Sequence, residues 1–405
     1  MLTLTAPIEE LPMNTAAVMS GPLAEDVTAY RRELREFLRT EPQLDSWRAD
    51  PAQSSEEILQ SHSRLLALLY SGGWNRYGWP SAMGGLGGTE LHRAAFYEEL
   101  SMADLPIPEQ CMTLDTVGPA VLGFAPELAA QLLPGYLRGD EWWGQGFSEP
   151  EAGSDLAALR TRGTVDSDRM VISGQKIWTS QGATATRLLC LVRTGTPESR
   201  HRGLTIVLVD TDCPGITIRP IALASGQREL AEVFFDEVNV PLDRVIGEID
   251  GGWAVAMYLM QWERAMYCYA STSRLMRSMQ QLRDRMLADN IAGAAETAAF
   301  ARTYVQLSTA KARGLQSIRR LAAGEKLGPE ASVDKLLCGL ADKAAYDLVA
   351  EVMEQASLVA PPADRRYAHD WADQWWYSRA ATIMGGSAEI QRGIIADHVL
   401  ALPKD

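Results

Sequence analysis

Between Ala24 and Leu38 apolar positions alternate at helical spacing with Arg31, Arg32, Glu33, Arg35 and Glu36, which predicts an amphipathic helix. The same texture returns over Ser55–Tyr70 and Thr89–Ser101. From Trp142 to about Gly247 the pattern changes to short apolar or β-branched runs cut by turn residues: Arg169–Ser173, Arg187–Val192, Leu204–Asp210, Ile216–Ile221 and Glu232–Phe235. Such runs predict an antiparallel sheet or barrel. After Gly251-Gly252 helical spacing resumes over Trp253–Asp289, Ala298–Ala323, Ser332–Ala356 and Ser387–Leu400. Gly328-Pro329 breaks the chain just before Ser332, which is read as a helix cap. The expected plan is α+β: a loose arm over 1–22, a helical domain over 23–138, a β-domain over 139–249 and a helical domain over 250–405.

Composition narrows the function. The 405 residues carry 38 basic against 52 acidic side chains, a net charge of −14, so neither nucleic acid nor an anionic membrane is expected as a partner. No run approaches the ~18 apolar residues of a spanning helix, and the first 22 residues lack a leader pattern, so a cytoplasmic protein without membrane insertion is expected. Five scattered cysteines with no CxxC pair indicate a reduced compartment, and the five dispersed histidines suggest no metal site. Gly72–Gly88 is glycine-rich, but the third glycine of a dinucleotide fingerprint is missing and no strand precedes it. It reads as an irregular loop.

Glu263 is the most unusual single residue. On an α-helix its same-face neighbours are Leu259, Met260, Met266 and Tyr267, none cationic, while Arg264 points about 100° away. Such a carboxylate either finds a distant partner or has its pKa raised, as a general base near neutrality requires. Two further segments stand out: Gly146-Phe-Ser-Glu-Pro-Glu-Ala-Gly-Ser-Asp155 and Lys176-Ile-Trp-Thr-Ser180. Hydroxyls beside glycines leave backbone N–H groups open to a polar ligand, and Trp178 offers a flat apolar surface.

With these motifs the chain resembles the acyl-CoA dehydrogenase family from about Ala24 to Pro403. Ser148–Asp155 is similar to the family's T/S-E-P-x-A-G-S-D, and Lys176–Ser180 to its K-x-W-(I/T)-(T/S). Further matches are Arg202-Gly-Leu-Thr205, Pro214-Gly215, Val233–Pro241, Gly247-Glu248, Gly251-Gly-Trp253 and the tail Gly385–Arg392. The resemblance implies an N-terminal helical domain, a middle antiparallel β-domain and a C-terminal four-helix bundle, with FAD between the last two. It places Phe147, Ser148, Gly153, Ser154, Trp178, Thr179, Ser180, Ser387 and Glu389 at the cofactor. Ser154, Gln261, Arg264 and Gly386 would lie near the substrate.

The family carries its catalytic glutamate either in a C-terminal Y-E-G-T motif or in an E-R pair on the first helix after the β-domain. Here the first reads Met384-Gly385-Gly386-Ser387, with no carboxylate, and the second is Glu263-Arg264. The implied reaction is α,β-dehydrogenation of an acyl-CoA thioester, Glu263 taking the α-proton and flavin N5 the β-hydride. The Gly385 N–H would stabilise the developing oxyanion, and the missing side chain would make room for a bulky or α-branched acyl group. Gly385-Gly386 also fits a simple helix-entry turn with Ser387 as N-cap, and Gln261 fits a solvated surface position.

Two family motifs that reach the cofactor's diphosphate, R-x-x-F-G and G-G-x-G, are replaced here by Met276–Arg285 and Glu354–Pro361. A buried diphosphate needs charged or amide donors, so either substitutes exist or a related subunit completes the site. The resemblance therefore implies a dimer or tetramer, or a hetero-oligomer, with electron-transfer flavoprotein as acceptor. Two other functions share the fold: a flavin-dependent oxidase or hydroxylase, and a non-enzymatic helper subunit, against which Glu263 argues. Trp371–Tyr377 is aromatic-heavy and reads as helix packing, a pocket wall or a subunit contact.

Overall fold

The two most apolar stretches of the β-region are apolar for a geometric reason. In a computed structural model describing residues 22–49, 55–353 and 366–403, strands β4 (Arg187–Arg193) and β5 (Leu204–Asp210) are buried on both faces. Leu189, Leu191, Leu204, Ile206 and Leu208 enter one core, while Leu188, Cys190, Val192, Val207 and Val209 enter another. Successive strand residues point to opposite faces, so a strand with two buried faces has no polar alternation. Edge strand β6 (Ile216–Ile221) has one covered face and alternates.

The sheet also contains β1 (Trp143–Gly146), β2 (Arg162–Asp166), β3 (Arg169–Ser180), β7 (Leu230–Pro241) and β8 (Val245–Ile246). Its order is β6-β7-β3-β2-β4-β5-β8, mostly antiparallel, with β1 added parallel to β4. The expected strands are all present, though β3 and β7 run longer than their apolar cores. Strand β2 has no apolar signal because four of its five residues are exposed.

The contacts divide the chain into two units that differ from a simple sequential partition. The sheet unit comprises Pro51–Gly87 and Ile107–Tyr267, and so contains helices α3 (Ser55–Ser71), α5 (Glu109–Phe124), α6 (Pro126–Arg138) and α7 (Gly252–Trp262) as well as the strands. Helix α5 carries Pro119 and is mainly apolar around its circumference, so it shows no clean helical stripe; α6, despite Pro134, buries Leu128, Ala129, Leu132, Leu133, Tyr136 and Leu137 along one face at helical spacing. Gly72–Gly88 is irregular, as its turn residues predict: two 3₁₀ turns and a bridge between Trp79 and Gly87.

The helical unit comprises Met1–Asp50, Gly88–Pro106 and Cys268–Asp405. Its helices are α1 (Pro22–Thr40), α2 (Asp45–Ala49), α4 (Glu90–Met102), α8 (Cys268–Ala288), α9 (Ala294–Ala322), α10 (Ala331–Val352), α11 (Arg366–Ser378) and α12 (Ala388–Ile394). Two expected helices are broken. A π-helix over Glu263–Tyr267 separates α7 from α8, and another over Ile395–Val399 follows α12. Ser332 is not a cap: α10 begins at Ala331 after Glu330, and Ser332 is fully buried in its first turn. Trp371 is buried in the core of α8–α11, so the packing reading of the aromatic segment holds at that residue. No described helix is long and apolar enough to cross a membrane.

A charged cluster fastens α1, α4, α8 and α9. The Glu98 carboxylate accepts from Arg31, from Lys311 Nζ at 2.6 Å and from the Tyr269 hydroxyl at 3.1 Å. Neighbouring Glu99 receives the Arg35 guanidinium in a two-bond fork, both at 2.9 Å. Burial pushes the Glu98 pKa up, but Lys311 and Arg31 override it and hold it at about 2. A depressed carboxylate stabilises the fold fully above its ordinary value of 4.5, and that contribution is lost as pH falls towards 2. Glu98→Gln is expected to cost the helical unit roughly 2–3 kcal/mol at pH 7, because it strips Lys311 of its carboxylate and leaves Arg31 only the 3.2 Å pair with Glu99, and the remaining exposure screens only part of the loss. The deficit should shrink as pH falls from 4.5 to 2; urea titrations showing a pH-independent deficit would contradict this.

Candidate active site

In the sheet unit the two singled-out segments are one structure. Along β3, Met170, Ile172 and Lys176 occupy the inward register, and Lys176 has no exposed surface. Its ammonium donates to the Phe147 carbonyl at 3.1 Å and to Glu149 Oε1 at 2.8 Å. The Glu149 carboxylate also accepts from the backbone N–H groups of Arg160 and Thr161, at 2.6 and 2.9 Å. The Ile177 N–H donates to the Ser148 carbonyl at 3.0 Å, and Glu149 and Ala152 exchange two backbone bonds at 3.1 Å. Burial lowers the Lys176 pKa against the pull of Glu149; on Glu149 the lysine outweighs burial and the pKa falls. Phe147 is buried, Ser148 is half-buried, and Gly153 and Ser154 are exposed. Beside them Asp155 pairs with Arg200 at 2.6 Å. In the sequence Lys176 and Glu149 stand only as letters of their motifs; a lysine at an inward strand position is the signal that marks them.

One step further along β3 the pairing with β7 slips between Lys176 and Thr179, a bulge that sets Ile177 and Trp178 against one partner residue. Trp178 takes φ +61°, a left-handed conformation that costs a non-glycine residue about 1–3 kcal/mol and persists only where its surroundings enforce it. Its indole is 55% exposed. Ser180 is exposed as well, whereas Thr179 is fully buried, with its Oγ1 lacking a hydrogen-bond partner among the described residues. The segment thus presents a ring and a hydroxyl, and turns the middle side chain inward.

Glu263 ends α7 and begins the π-helix, where about 4.4 residues complete a turn, so the α-helical neighbours expected for it do not apply unchanged. Its own N–H shares the carbonyls of Leu259 and Met260. The side chain is half-buried, with buried Trp262, Ala265 and Met266 around it in sequence, and α5 packs against both α7 and the π-helix. Arg264 is half-buried, its Nη2 4.0 Å from Met260 Sδ. Gln261 is only 7% exposed, which replaces the solvated reading with a buried one.

The C-terminal residues belong to the helical unit. Gly385 and Gly386 both have positive φ, +65° and +96°, and Ser387 caps α12 by accepting from the Ile390 N–H at 3.3 Å. The turn is held onto α10 by Lys335 Nζ, which donates to the Ala381 carbonyl at 2.8 Å, and by Gly339, where a Cβ would collide with that carbonyl. The exposed Gly385 N–H donates to no acceptor among the described residues. Glu389 is exposed and lies 3.6 Å from Arg392.

The sequence and the fold have relatives among known proteins. Residues 144–238 match the acyl-CoA dehydrogenase middle domain, and residues 250–400 match the acyl-CoA dehydrogenase C-terminal domain. The chain belongs to the acyl-CoA dehydrogenase family. It is 35% identical to acyl-CoA dehydrogenase IpdE1 of Mycobacterium tuberculosis over 345 residues, covering 83% of this chain and 87% of that protein. Among solved structures it is similar to the Tcur3481-Tcur3483 steroid ACAD, at 27% identity and TM-score 0.82 over 94% of this chain and 98% of that one. It is also similar to the ChsE4-ChsE5 complex from Mycobacterium tuberculosis, at 26% identity and TM-score 0.76 over 96% of this chain and 100% of that one. The acyl-CoA dehydrogenase fold expected from the motifs is therefore present, and the chain is an oxidoreductase by family.

Flavoprotein chemistry suits the sheet-unit residues: an exposed indole at a strained bulge, the Ser180 hydroxyl, and Gly153, where even a Cβ would meet nothing within 4 Å. Because the indole is mostly exposed, Trp178→Asn, which tolerates positive φ, is expected to leave unfolding free energy within about 1 kcal/mol of the parent. Its flavin retention should fall. A large stability loss with unchanged flavin content would assign the ring to packing instead.

Proposed function

We propose that this acyl-CoA dehydrogenase oxidises an acyl-CoA thioester at its Cα–Cβ bond with FAD as cofactor, and that Glu263 is the base. The reading is carried by Glu263 standing half-buried at a helix irregularity in the unit that also bears Trp178 and the Phe147–Ser154 loop, while the 384–387 turn has no carboxylate. π-Turns are frequent at functional sites because they re-aim one side chain without unravelling the helix. Glu263 takes the α-proton on its carboxylate. The Gly385 N–H is the fixed donor for the thioester oxygen as enolate charge develops, and glycine at 385 leaves space for a bulky or α-branched acyl group. Gln261, Arg264, Ser154 and Gly386 line the ester; Phe147, Ser148, Gly153, Trp178, Ser180, Ser387 and Glu389 contribute to the cofactor wall, and Thr179, its side chain buried, contributes backbone only. Bound FAD supplies the hydride acceptor. An electron-transfer flavoprotein is the proposed oxidant of the reduced enzyme, and the similarity to the Tcur3481-Tcur3483 steroid ACAD favours a large polycyclic acyl group.

The diphosphate end of the cofactor is the part for which this chain provides least. In the 276–285 stretch Arg277 is held by Asp104 through two bonds, at 2.7 and 2.6 Å, Arg283 by Asp284, and Arg285 by Asp289. The 354–361 stretch lies outside the described residues. We therefore favour a hetero-oligomer in which a related subunit supplies the diphosphate donors, an assembly of the kind that the similar ChsE4-ChsE5 complex represents by its name.

Two outcomes test this reading. Glu263→Gln should retain flavin but lower the rate of its bleaching by acyl-CoA by about 10²–10⁴-fold, the usual contribution of a general base; bleaching at the parental rate would move the base elsewhere. The chain purified alone should hold well under one flavin per protomer and reach full occupancy when co-purified with a related subunit. Full occupancy alone would remove the partner requirement.

A further inference from the structure

Lys176 and Glu149 lie buried inside the sheet unit, their charged atoms taken up by each other and by backbone partners. A lysine with no accessible surface is stable only if its ammonium is matched by acceptors, and here the acceptors are chosen from one loop: the Phe147 carbonyl and the Glu149 carboxylate. Glu149 in turn gathers the Arg160 and Thr161 N–H groups, closing the far end of the same loop. The lysine stem runs beside Gly146, where a Cβ would make only ordinary contact with it at 3.5 Å but would crowd Cys190 Sγ at 2.9 Å. Two positions further along the same strand stands Trp178, forced to φ +61° by the bulge.

We propose that Lys176 and Glu149 are positioning residues: the buried pair sets the register between the Phe147–Ser154 loop and the Trp178–Ser180 edge, and thereby the shape of the wall that receives the flavin. This rests on the function proposed above. The pair draws the Phe147 carbonyl inward, which fixes the peptide that follows and the outward side of Ser148. The Ile177–Ser148 bond then ties the loop to the residue preceding Trp178. Loop and ring move as one piece only while both charges are present.

The test uses Lys176→Met and the double variant Lys176→Met/Glu149→Gln, prepared with whatever subunit the parent needs for flavin. Hydrogen exchange at the Arg160, Thr161 and Ile177 amides is expected to accelerate about tenfold or more in Lys176→Met, while β4 and β5 amides keep parental protection, and flavin affinity on reconstitution should weaken by a similar factor. The double variant removes the uncompensated carboxylate and should regain thermal stability without regaining flavin affinity. If flavin affinity returns together with stability, or if folded Lys176→Met binds flavin within twofold of the parent, the pair is only structural and the inference fails. A parent that holds flavin yet is not bleached by any acyl-CoA would instead overturn the proposed reaction, and the exchange and affinity comparison would still decide the role of the pair.

Discussion

The candidate site residues of the sheet unit depend on a buried ammonium finding its acceptors. Lys176 cannot be hydrated where it sits, and the desolvation that depresses its pKa is offset only because Glu149 and the Phe147 carbonyl are brought to it. That requirement converts two motifs, separated by more than 20 residues of sequence, into one rigid surface. Together with the loop's own Glu149–Ala152 backbone pair, it accounts for a serine- and glycine-bearing loop standing in one conformation next to an exposed tryptophan.

The helical unit solves the same problem differently. Glu98, Glu99, Arg31, Arg35, Lys311 and Tyr269 join four helices through charge-assisted bonds rather than through a motif. The apolar core made by Leu275, Met279, Leu282, Phe300 and Trp371 supplies non-directional attraction, and the charged cluster adds direction. In this unit the Gly385-Gly386 turn is set by two positive φ values and by its docking on Lys335 and Gly339. The backbone amide implied for oxyanion binding therefore sits on fixed structure, as electrostatic stabilisation without reorganisation demands.

Helices with a polar stripe, such as Ala24–Leu38, were readable from their period, and β4 and β5 from unbroken apolar runs. Helix α5 was not, because Pro119 and nearly uniform burial erase its period, whereas α6 keeps a helical period and was legible although not picked out. The π-helix at Glu263 was equally hidden. One residue more per turn leaves no mark on an apolar pattern, yet it changes which neighbours share a face with the carboxylate. For Gln261 the surface alternative stayed open because a lone glutamine says nothing about what covers it, and Ser332 looked like a cap because its hydroxyl chemistry is the same whether it lies at Ncap or two residues later in the first turn.

The chain by itself determined the family and the order of helical and β segments, and it singled out Glu263 and Gly385 as the residues on which the proposed chemistry turns. These are matters of local pattern and residue type, which one-dimensional information carries. Tertiary structure alone decided that Lys176 and Glu149 form a buried pair, that Thr179 faces inward while Trp178 and Ser180 face out, and that Arg277 is already held by Asp104. Each of those depends on which distant segment arrives beside a side chain, and the free energy of a buried charge or a strained backbone is fixed only by that arrival.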